Sequence, residues 1–445
     1  MNIFKYRNFI VYLLDKYNIK NLEIDFLLKI IDIMIEFIDE NILQIMYVEL
    51  YENVFNHSYD LMYNEYIDSN LLESIYGLSK EESEIMLDRY LNIGLSIIFK
   101  YVLPKRSYNK SYIRNNKINN LKIDNQLKKL INIVQPEQRS DEWYIFRNST
   151  LTASNIYKIF VSDYSQTQLI LEKCEPLNIN KFKVTNTNSP LHWGQKYEPV
   201  SILYYEYINK TKVSEFGCIP HKDYSYIAAS PDGIICDNNS KLFGRMLEIK
   251  NVVSREITGI PKMEYWIQMQ LQMEVCDLNE CDFLETKFIQ YDTEEEYIDD
   301  NDTEYKGIIL QYLKDDEPYY VYAPIMLNNL ESKEYKEWEN KEKEKNKDLE
   351  LIARLYWKLV KISCVLVLRN KLWFKNVQPM IEHFWNNLVE ERESGKYKER
   401  ISKKRKMKLE DAKSKSDFPT GGCLINPALF NKEEKAENVI INVNT

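Results

Sequence analysis

Three charged residues in the middle of this chain have the types and spacing of a hydrolytic metal site. The stretch "SPDGIICDNNSKLFGRMLEIK", residues 230–250, holds Asp232 in a Ser-Pro-Asp-Gly turn and ends as Glu248, Ile249, Lys250. Pro231 fixes one dihedral angle and Gly233 tolerates a positive one, so the chain turns sharply with the carboxylate at its corner. A β-hairpin can then run from "GIICD" through "NNSKLFG" into "RMLEIK". Side chains alternate along a strand, which puts Glu248 and Lys250 on one face and Ile249 in the opposite packing layer. Two carboxylates on neighbouring strands suit a hard divalent cation, which takes oxygen ligands, often one or two carboxylates with waters and substrate phosphates. Such a cation eases deprotonation of a bound water and stabilises charge growing on a phosphate, with the lysine beside that water. On a surface hairpin the same residues would make only a weak salt bridge, and an isolated D…ExK match fits either reading.

The elements that must position these groups lie in residues 135–330, where short β-rich runs mix with helices. "KVSEFGCI", "YSYIAAS", "RMLEIKNVV", "CDFLETKFI" and "YYVYAPI" read as strands, several bounded by Gly, Asp or Asn. "PKMEYWIQMQLQMEVCDL" reads as a helix, so the expected core is α/β with a mixed sheet flanked by helices. Residues 1–130 read as a helical accessory domain, with Ser79 and Glu82 as a capping box and a polar, basic linker starting at Pro104. Residues 331–410, including "DLELIARLYWKLVKISCVLVLRNKLWF", read as a C-terminal helical region, and 411–445 as a disordered tail.

The totals set outer limits. A chain of 445 residues, 44% hydrophobic and 29% charged, has the length and composition for two or three soluble domains. A net charge of -9 argues against a protein that coats nucleic acid, although a single basic cleft is compatible with it. The strongest basic run, "KKRKMK" at Lys403–Lys408, is either a solvated tail or a nucleic-acid contact or import signal. The seven cysteines are spread out with no CxxC pair, which argues against disulfides and structural zinc. No apolar run reaches the roughly 18 residues of a membrane span, and the N-terminal stretch lacks a signal-peptide core, so an intracellular protein is expected.

Three further segments accompany the acidic hairpin in order. These are "RSDEWYIFRNSTLTASNIYKIF", "SPLHWGQKYEPVSILYYEY" with Glu198 just before Pro199, and the Gln-rich helix. The ordered set resembles the YqaJ-like viral recombinase family, which includes the phage lambda exonuclease type of alkaline nuclease within the PD-(D/E)xK superfamily. The resemblance covers roughly residues 138–290, and the Trp-rich part to about 390 is similar to versions in large DNA viruses. It implies a restriction-endonuclease-like PD-(D/E)xK core with added N- and C-terminal helical regions.

By that resemblance Asp232 and Glu248 coordinate one or two Mg²⁺ or Mn²⁺ ions, Glu198 completes or shares the site, and the backbone carbonyl of Ile249 contributes. Lys250 positions or activates the attacking water. The family's "eW…R…ltAS" segment matches Trp143, Arg147, Thr152, Ala153 and Ser154. This implies that Arg147 and Ser154, with Thr152 nearby, hold a terminal 5′ phosphate, as a planar guanidinium and a hydroxyl opening a helix are suited to do. Ser154 as a plain helix N-cap is compatible with that role. Gln268, following Tyr265 by three, matches the family's helix glutamine; Gln270 points elsewhere, and Gln272 shares the face of Gln268. His192, beside Trp193, reads as a packing or capping residue. No iron–sulfur cluster is expected, because the compact cysteine group of Cas4-related nucleases is missing.

The implied activity is a metal-dependent deoxyribonuclease, a 5′-to-3′ exonuclease on linear duplex ends in recombination or viral DNA processing. A structure-specific or single-strand endonuclease uses the same metal core, and a DNA-binding recombination module that has lost catalysis is the non-enzymatic alternative. The implied partners are DNA, further copies of the chain in a dimer or trimer, and a single-strand annealing protein or helicase. Cytoplasm, viral factory and nucleus all suit such a protein.

Overall fold

The computed structural model describes residues 23–109, 120–136, 138–179, 187 and 189–400. Contacts divide the chain into two units, Met1–Ser394 and Gly395–Thr445, and every element named here belongs to the first. The basic run at 403–408 and the tail from 411 lie outside the described residues.

Apolar residues at helical spacing build the N-terminal part. In Ile24–Glu40 (α1), Phe26, Leu27, Ile30, Ile31, Met34, Ile35 and Ile38 are buried, a stripe that packs inward. Leu50–Tyr66 (α2), Leu71–Tyr76 (α3) and Lys80–Tyr101 (α4) follow. The Ser79–Glu82 capping box is present: the Glu82 N–H donates to Ser79 Oγ, and the Ser79 N–H donates to Glu82 Oε2. The segment from Pro104 is more than a linker, because Tyr108–Asn109 (β1) joins the main sheet and Asn120–Asn132 (α5) is a helix that buries Leu127 and Leu130. Residues 110–119 of that segment lie outside the described residues.

The next elements are Asp141–Ser149 (α6), Leu151–Thr152 (β2), Lys158–Val161 (α7), Asp163–Cys174 (α8), Pro190–Asn209 (α9), Ile219–Pro220 (β3) and Ile227–Ala229 (β4). Then come Gly233–Ile234 (β5), Met246–Asn251 (β6), Met263–Cys276 (α10), Glu280–Gln290 (β7), Glu294–Asp299 (α11), Lys306–Lys314 (β8) and Glu317–Tyr322 (β9). Lys333–Lys345 (α12), Glu350–Leu368 (β10) and Lys371–Ser394 (α13) complete the unit. The main sheet runs β5-β6-β7-β10-β8-β9, with β1 on β10; β6 and β7 are parallel and the other pairs antiparallel. A small sheet, β2-β4-β3, lies beside it in sequence. The fold is thus mixed α/β, with a mixed sheet and flanking helices.

Two expectations are corrected here. "KVSEFGCI" supplies only an isolated bridge, Ser214 to Ile234, and the short β3. More importantly, Glu350–Leu368 is a 19-residue strand at the centre of the sheet, where a helix was expected. Its cations explain the misreading. Arg354, Lys358 and Lys361 recur at spacings of four and three, as on a helix face. In the strand, Arg354 and Lys358 share a face by even spacing and pair with Glu339 and Asp300. A register shift between Leu359 and Lys361 then accommodates the odd step. Strand β8, which sequence patterning did not mark, pairs with β10 so that Gly307 lies opposite Trp357. A Cβ on Gly307 would lie 2.5 Å from the Trp357 ring, so the glycine makes room for that buried indole. No helix among the described residues is long and apolar enough to cross a membrane.

Candidate active site

Asp232 sits between β4 and β5. Because β5 pairs antiparallel with β6, Gly233 opposite Leu247, the aspartate lies next to the Glu-Ile-Lys stretch. Its Oδ2 accepts the Ile249 N–H at 2.6 Å, which fixes the carboxylate against the strand. Glu248 is fully buried, 0% exposed, with both oxygens engaged. The Lys250 ammonium donates to Oε1, and Gln272 Nε2 of α10 donates to Oε2 at 2.6 Å. The same Gln272 amide donates to the Ser230 carbonyl at 3.2 Å and so ties the turn to the acidic pair. Lys250 shares the face of Glu248, and its ammonium lies 5.2 Å from the centre of the Tyr265 ring. Gln268, one turn before Gln272, is half-buried, whereas Gln270 donates to the Leu368 carbonyl and accepts the Asn370 N–H.

The reason for glycine at 233 differs from the expected one. Positive φ occurs instead at Gly244, φ 76°, where the polar loop returns into β6. At Gly233 a Cβ would fall 2.0 Å from Val213 Cγ1, so the position demands close approach. A Gly233→Ala protein is expected to be less stable by about 1–3 kcal/mol, the usual cost of overpacking, as read by urea denaturation. An unchanged midpoint would show that Val213 yields freely.

Glu198 reaches the site from α9, which Asn251 clamps to the sheet. Asn251 Nδ2 donates to the Gly194 carbonyl at 2.8 Å, while its Oδ1 accepts from Ser201 and Thr286 hydroxyls, each at 2.7 Å. Burial raises the Glu198 carboxyl above its usual range; Arg139 opposes this and Glu248 adds to it. Burial, with the charges of Glu248 and Glu198, holds Asp232 well above its ordinary value, against Lys250 and the Ile249 N–H. Burial pulls Lys250 down, but Glu248 and Asp232 more than reverse this, so its ammonium is held above the lysine range. Three carboxylates around one ammonium form an all-oxygen donor set with an excess of negative charge, which fits a hard divalent cation. Among the described residues no three His, Cys, Asp or Glu side chains converge tightly enough to hold an ion alone. Mg²⁺ does not require that, since waters and substrate phosphate fill much of its octahedron.

A second constellation lies one strand away. Strand β2 runs parallel to β4 with Thr152 opposite Ala228, two residues before Ser230. Arg147 Nη2 donates to Ser154 Oγ at 3.2 Å, Thr152 Oγ1 is 3.2 Å from the same oxygen, and the guanidinium lies 4.3 Å over the Trp143 ring. Ser154 does not cap a helix. It lies in turns before α7, where Asn155 Oδ1 accepts the Thr152 N–H. Beneath Arg147, the buried Lys173 of α8 donates to the Arg147 carbonyl, and Arg392 of α13 donates to the Lys173 carbonyl. Burial lowers Lys173 to about 8, with Arg147, Lys158 and Arg392 contributing and Glu172 opposing. Crowded cations with hydroxyls in front suit an anion.

His192 packs as expected: the Ser189 hydroxyl accepts its N–H, and its Nε2 lies 2.7 Å from the Tyr320 hydroxyl. Sequence reasoning missed Lys173, Arg139 and the clamp Asn251. A lone lysine within the largely apolar "LILEKC" was the one available signal for Lys173.

Residues 142–279 match the family model of the YqaJ-like viral recombinase domain. The uncharacterized protein R354 of Acanthamoeba polyphaga mimivirus is 32% identical over 340 residues, which cover 66% of this chain and 58% of that protein. The chain therefore spans less than two thirds of that relative's length. The alkaline exonuclease LHK-Exo of Laribacter hongkongensis is 20% identical, with 58% of this chain and 97% of that one covered and a TM-score of 0.33. A phage-related exonuclease of Haemophilus somnus 129PT is 12% identical, with coverage of 54% and 96% and a TM-score of 0.29.

Proposed function

For a chain whose residues 142–279 are a YqaJ-like viral recombinase domain, we propose a Mg²⁺- or Mn²⁺-dependent deoxyribonuclease that digests linear duplex DNA from its 5′ ends. The observation that carries this reading is the set Asp232, Glu248 and Lys250 around the fully buried Glu248 carboxylate, joined through Gln272 and Ser230 to the strand that borders Arg147, Thr152 and Ser154. Asp232 and Glu248 would hold the ion, with Glu198 sharing it and the Ile249 carbonyl beside them. When bound, such a cation eases ionisation of water and neutralises charge on the phosphate.

The chain's own groups do the rest. Lys250 presents its ammonium to the scissile phosphate and to the water beside it. Gln272 holds Glu248 in one orientation, and Gln268 offers a second amide on the same helix face. Arg147, Ser154 and Thr152 bind the terminal phosphate, so that the bond reached by the acidic cluster is counted from the end.

An end-phosphate pocket makes the reading testable. Arg147→Gln is expected to lower the preference for 5′-phosphorylated over 5′-hydroxyl ends by about 10- to 100-fold, the worth of a charge-assisted contact. Covalently closed circles should remain intact in Mg²⁺. Rapid cutting of such circles would replace the exonuclease reading with an endonuclease.

Lys173 adds a pH dependence. Its folded value of about 8 lies below its ordinary 10.5, so the folded protein gives up this proton first as pH rises. Between those values the unfolded chain binds more protons, and this group's contribution to stability grows with pH. Phosphate affinity runs the other way: it should fall through about pH 8 as the cation is lost, and be flat there in Lys173→Met. Titrating binding of 5′-phosphorylated ends without divalent metal measures this, and identical profiles for both proteins would remove Lys173 from the pocket.

A further inference from the structure

A cavity of about 1030 Å³ opens beside the acidic cluster, and its lining includes Glu198 and Asp232 together with Tyr320 and Tyr322 of β9. Strand β9, the second strand of the β8–β9 hairpin, lies outside the matched residues 142–279. Alternation along β9 puts the two tyrosines on one face, where they pack, half-buried, against the cluster containing Tyr197, Phe288 and Trp357. Their ring centres are 6.4 Å apart at 47°. The His192 ring, 5.8 Å from that of Tyr320, continues the aromatic surface, and its buried Nδ1 has no partner among the described residues.

One turn further along α9, Lys196 lines the same cavity. Its ammonium donates to Gln290 at 3.2 Å and makes no ion pair among the described residues. Arg139 also lines the space. Five acids line the cavity: Glu198 and Asp232 belong to the cluster already described, Glu342 is paired with Lys345, and Glu215 and Glu317 complete the set. Flat aromatic faces beside an unneutralised ammonium are the recognition chemistry of single-stranded nucleic acid, in which bases are free to stack and the backbone supplies the anion. In a paired duplex every base but those of the outermost pair has both faces covered by its neighbours.

We propose that this cavity is a subsite for unpaired nucleotides, with bases stacked on Tyr320 and Tyr322 and a backbone phosphate on Lys196. It rests on the nuclease reading only in naming the strand held there, which is the one leading to the acidic cluster. The substrate class is thereby narrowed to DNA ends with frayed or single-stranded nucleotides.

Binding of a short fluorescent oligothymidylate to the full chain in EDTA tests the subsite without turnover. Wild type should bind it, and Tyr320→Leu and Lys196→Gln should each weaken binding by about tenfold. Tyr320→Phe, which keeps the ring and loses the same hydroxyl, should bind close to wild type. Lys196→Gln should also flatten the salt dependence. Equal binding by wild type and Tyr320→Leu, equal losses in the Phe and Leu variants, or no binding by wild type would each overturn the proposal. A wild-type protein that binds the oligomer but digests no DNA in Mg²⁺ would sink the nuclease reading and leave the subsite standing.

Discussion

Asp232→Asn is expected to abolish DNA hydrolysis while leaving the metal-free protein at least as stable as wild type. Asparagine keeps the shape of the side chain and an oxygen to accept the Ile249 N–H, which Asp232 now accepts at 2.6 Å. It removes a charge that burial, Glu248 and Glu198 all disfavour. Relief of that repulsion should raise the unfolding free energy in EDTA. Activity should fall by at least about a hundredfold, because an anionic ligand is lost where charge must be offset. Lys250→Met should be as inactive but move stability the other way. It strips the cation from Glu248, which is 0% exposed, and breaking a buried pair in this manner costs about 3–5 kcal/mol. Urea denaturation of the two variants in EDTA reads both signs. A destabilised Asp232→Asn would mean that the carboxylate serves the fold rather than a cation.

The second large effect lies at the base of the same strand. Arg245, immediately before β6, is 4% exposed and pairs with Glu280 at 2.9 Å and Asp282 at 3.2 Å. Tyr205 of α9 donates to the other Asp282 oxygen at 2.6 Å. Arg245→Met would leave both carboxylates buried without their cation, at a cost of about 3–5 kcal/mol. Since β6 carries Glu248 and Lys250, thermal unfolding should drop with parallel loss of DNA binding. A triple change of Arg245→Met, Glu280→Gln and Asp282→Asn should recover much of the stability, because no uncompensated charge is left. Failure of that recovery would assign the loss to packing of the arginine stem.

What the sequence made legible was local. Alternation put Glu248 and Lys250 on one face, the turn at Ser230–Gly233 returned Asp232 to their side, and the capping box at Ser79 needed only four residues. The unread parts depended on distance along the chain. Gln272 reaches Glu248 from 24 residues away, and Arg392 meets Lys173 across 219. The central strand β10 was hidden by cations at helix-like spacing, made compatible with the sheet only by its register shift. Gly233 was marked correctly as special for the wrong reason, since a close approach by Val213 leaves no trace in neighbouring residue types. The tyrosines of β9 were read as strand formers, and only their placement beside Asp232 and Glu198 gives them a further meaning.

On the nuclease reading the acidic pair Asp232, just before β5, and Glu248, on β6, works with a divalent cation to hydrolyse DNA. The most direct test is nucleotide release from end-labelled, 5′-phosphorylated linear duplex by the purified chain, with Asp232→Asn alongside. The account predicts release in Mg²⁺ or Mn²⁺, none in EDTA, and none by the variant. Intact duplex in both metals, or equal release by the variant, would contradict it.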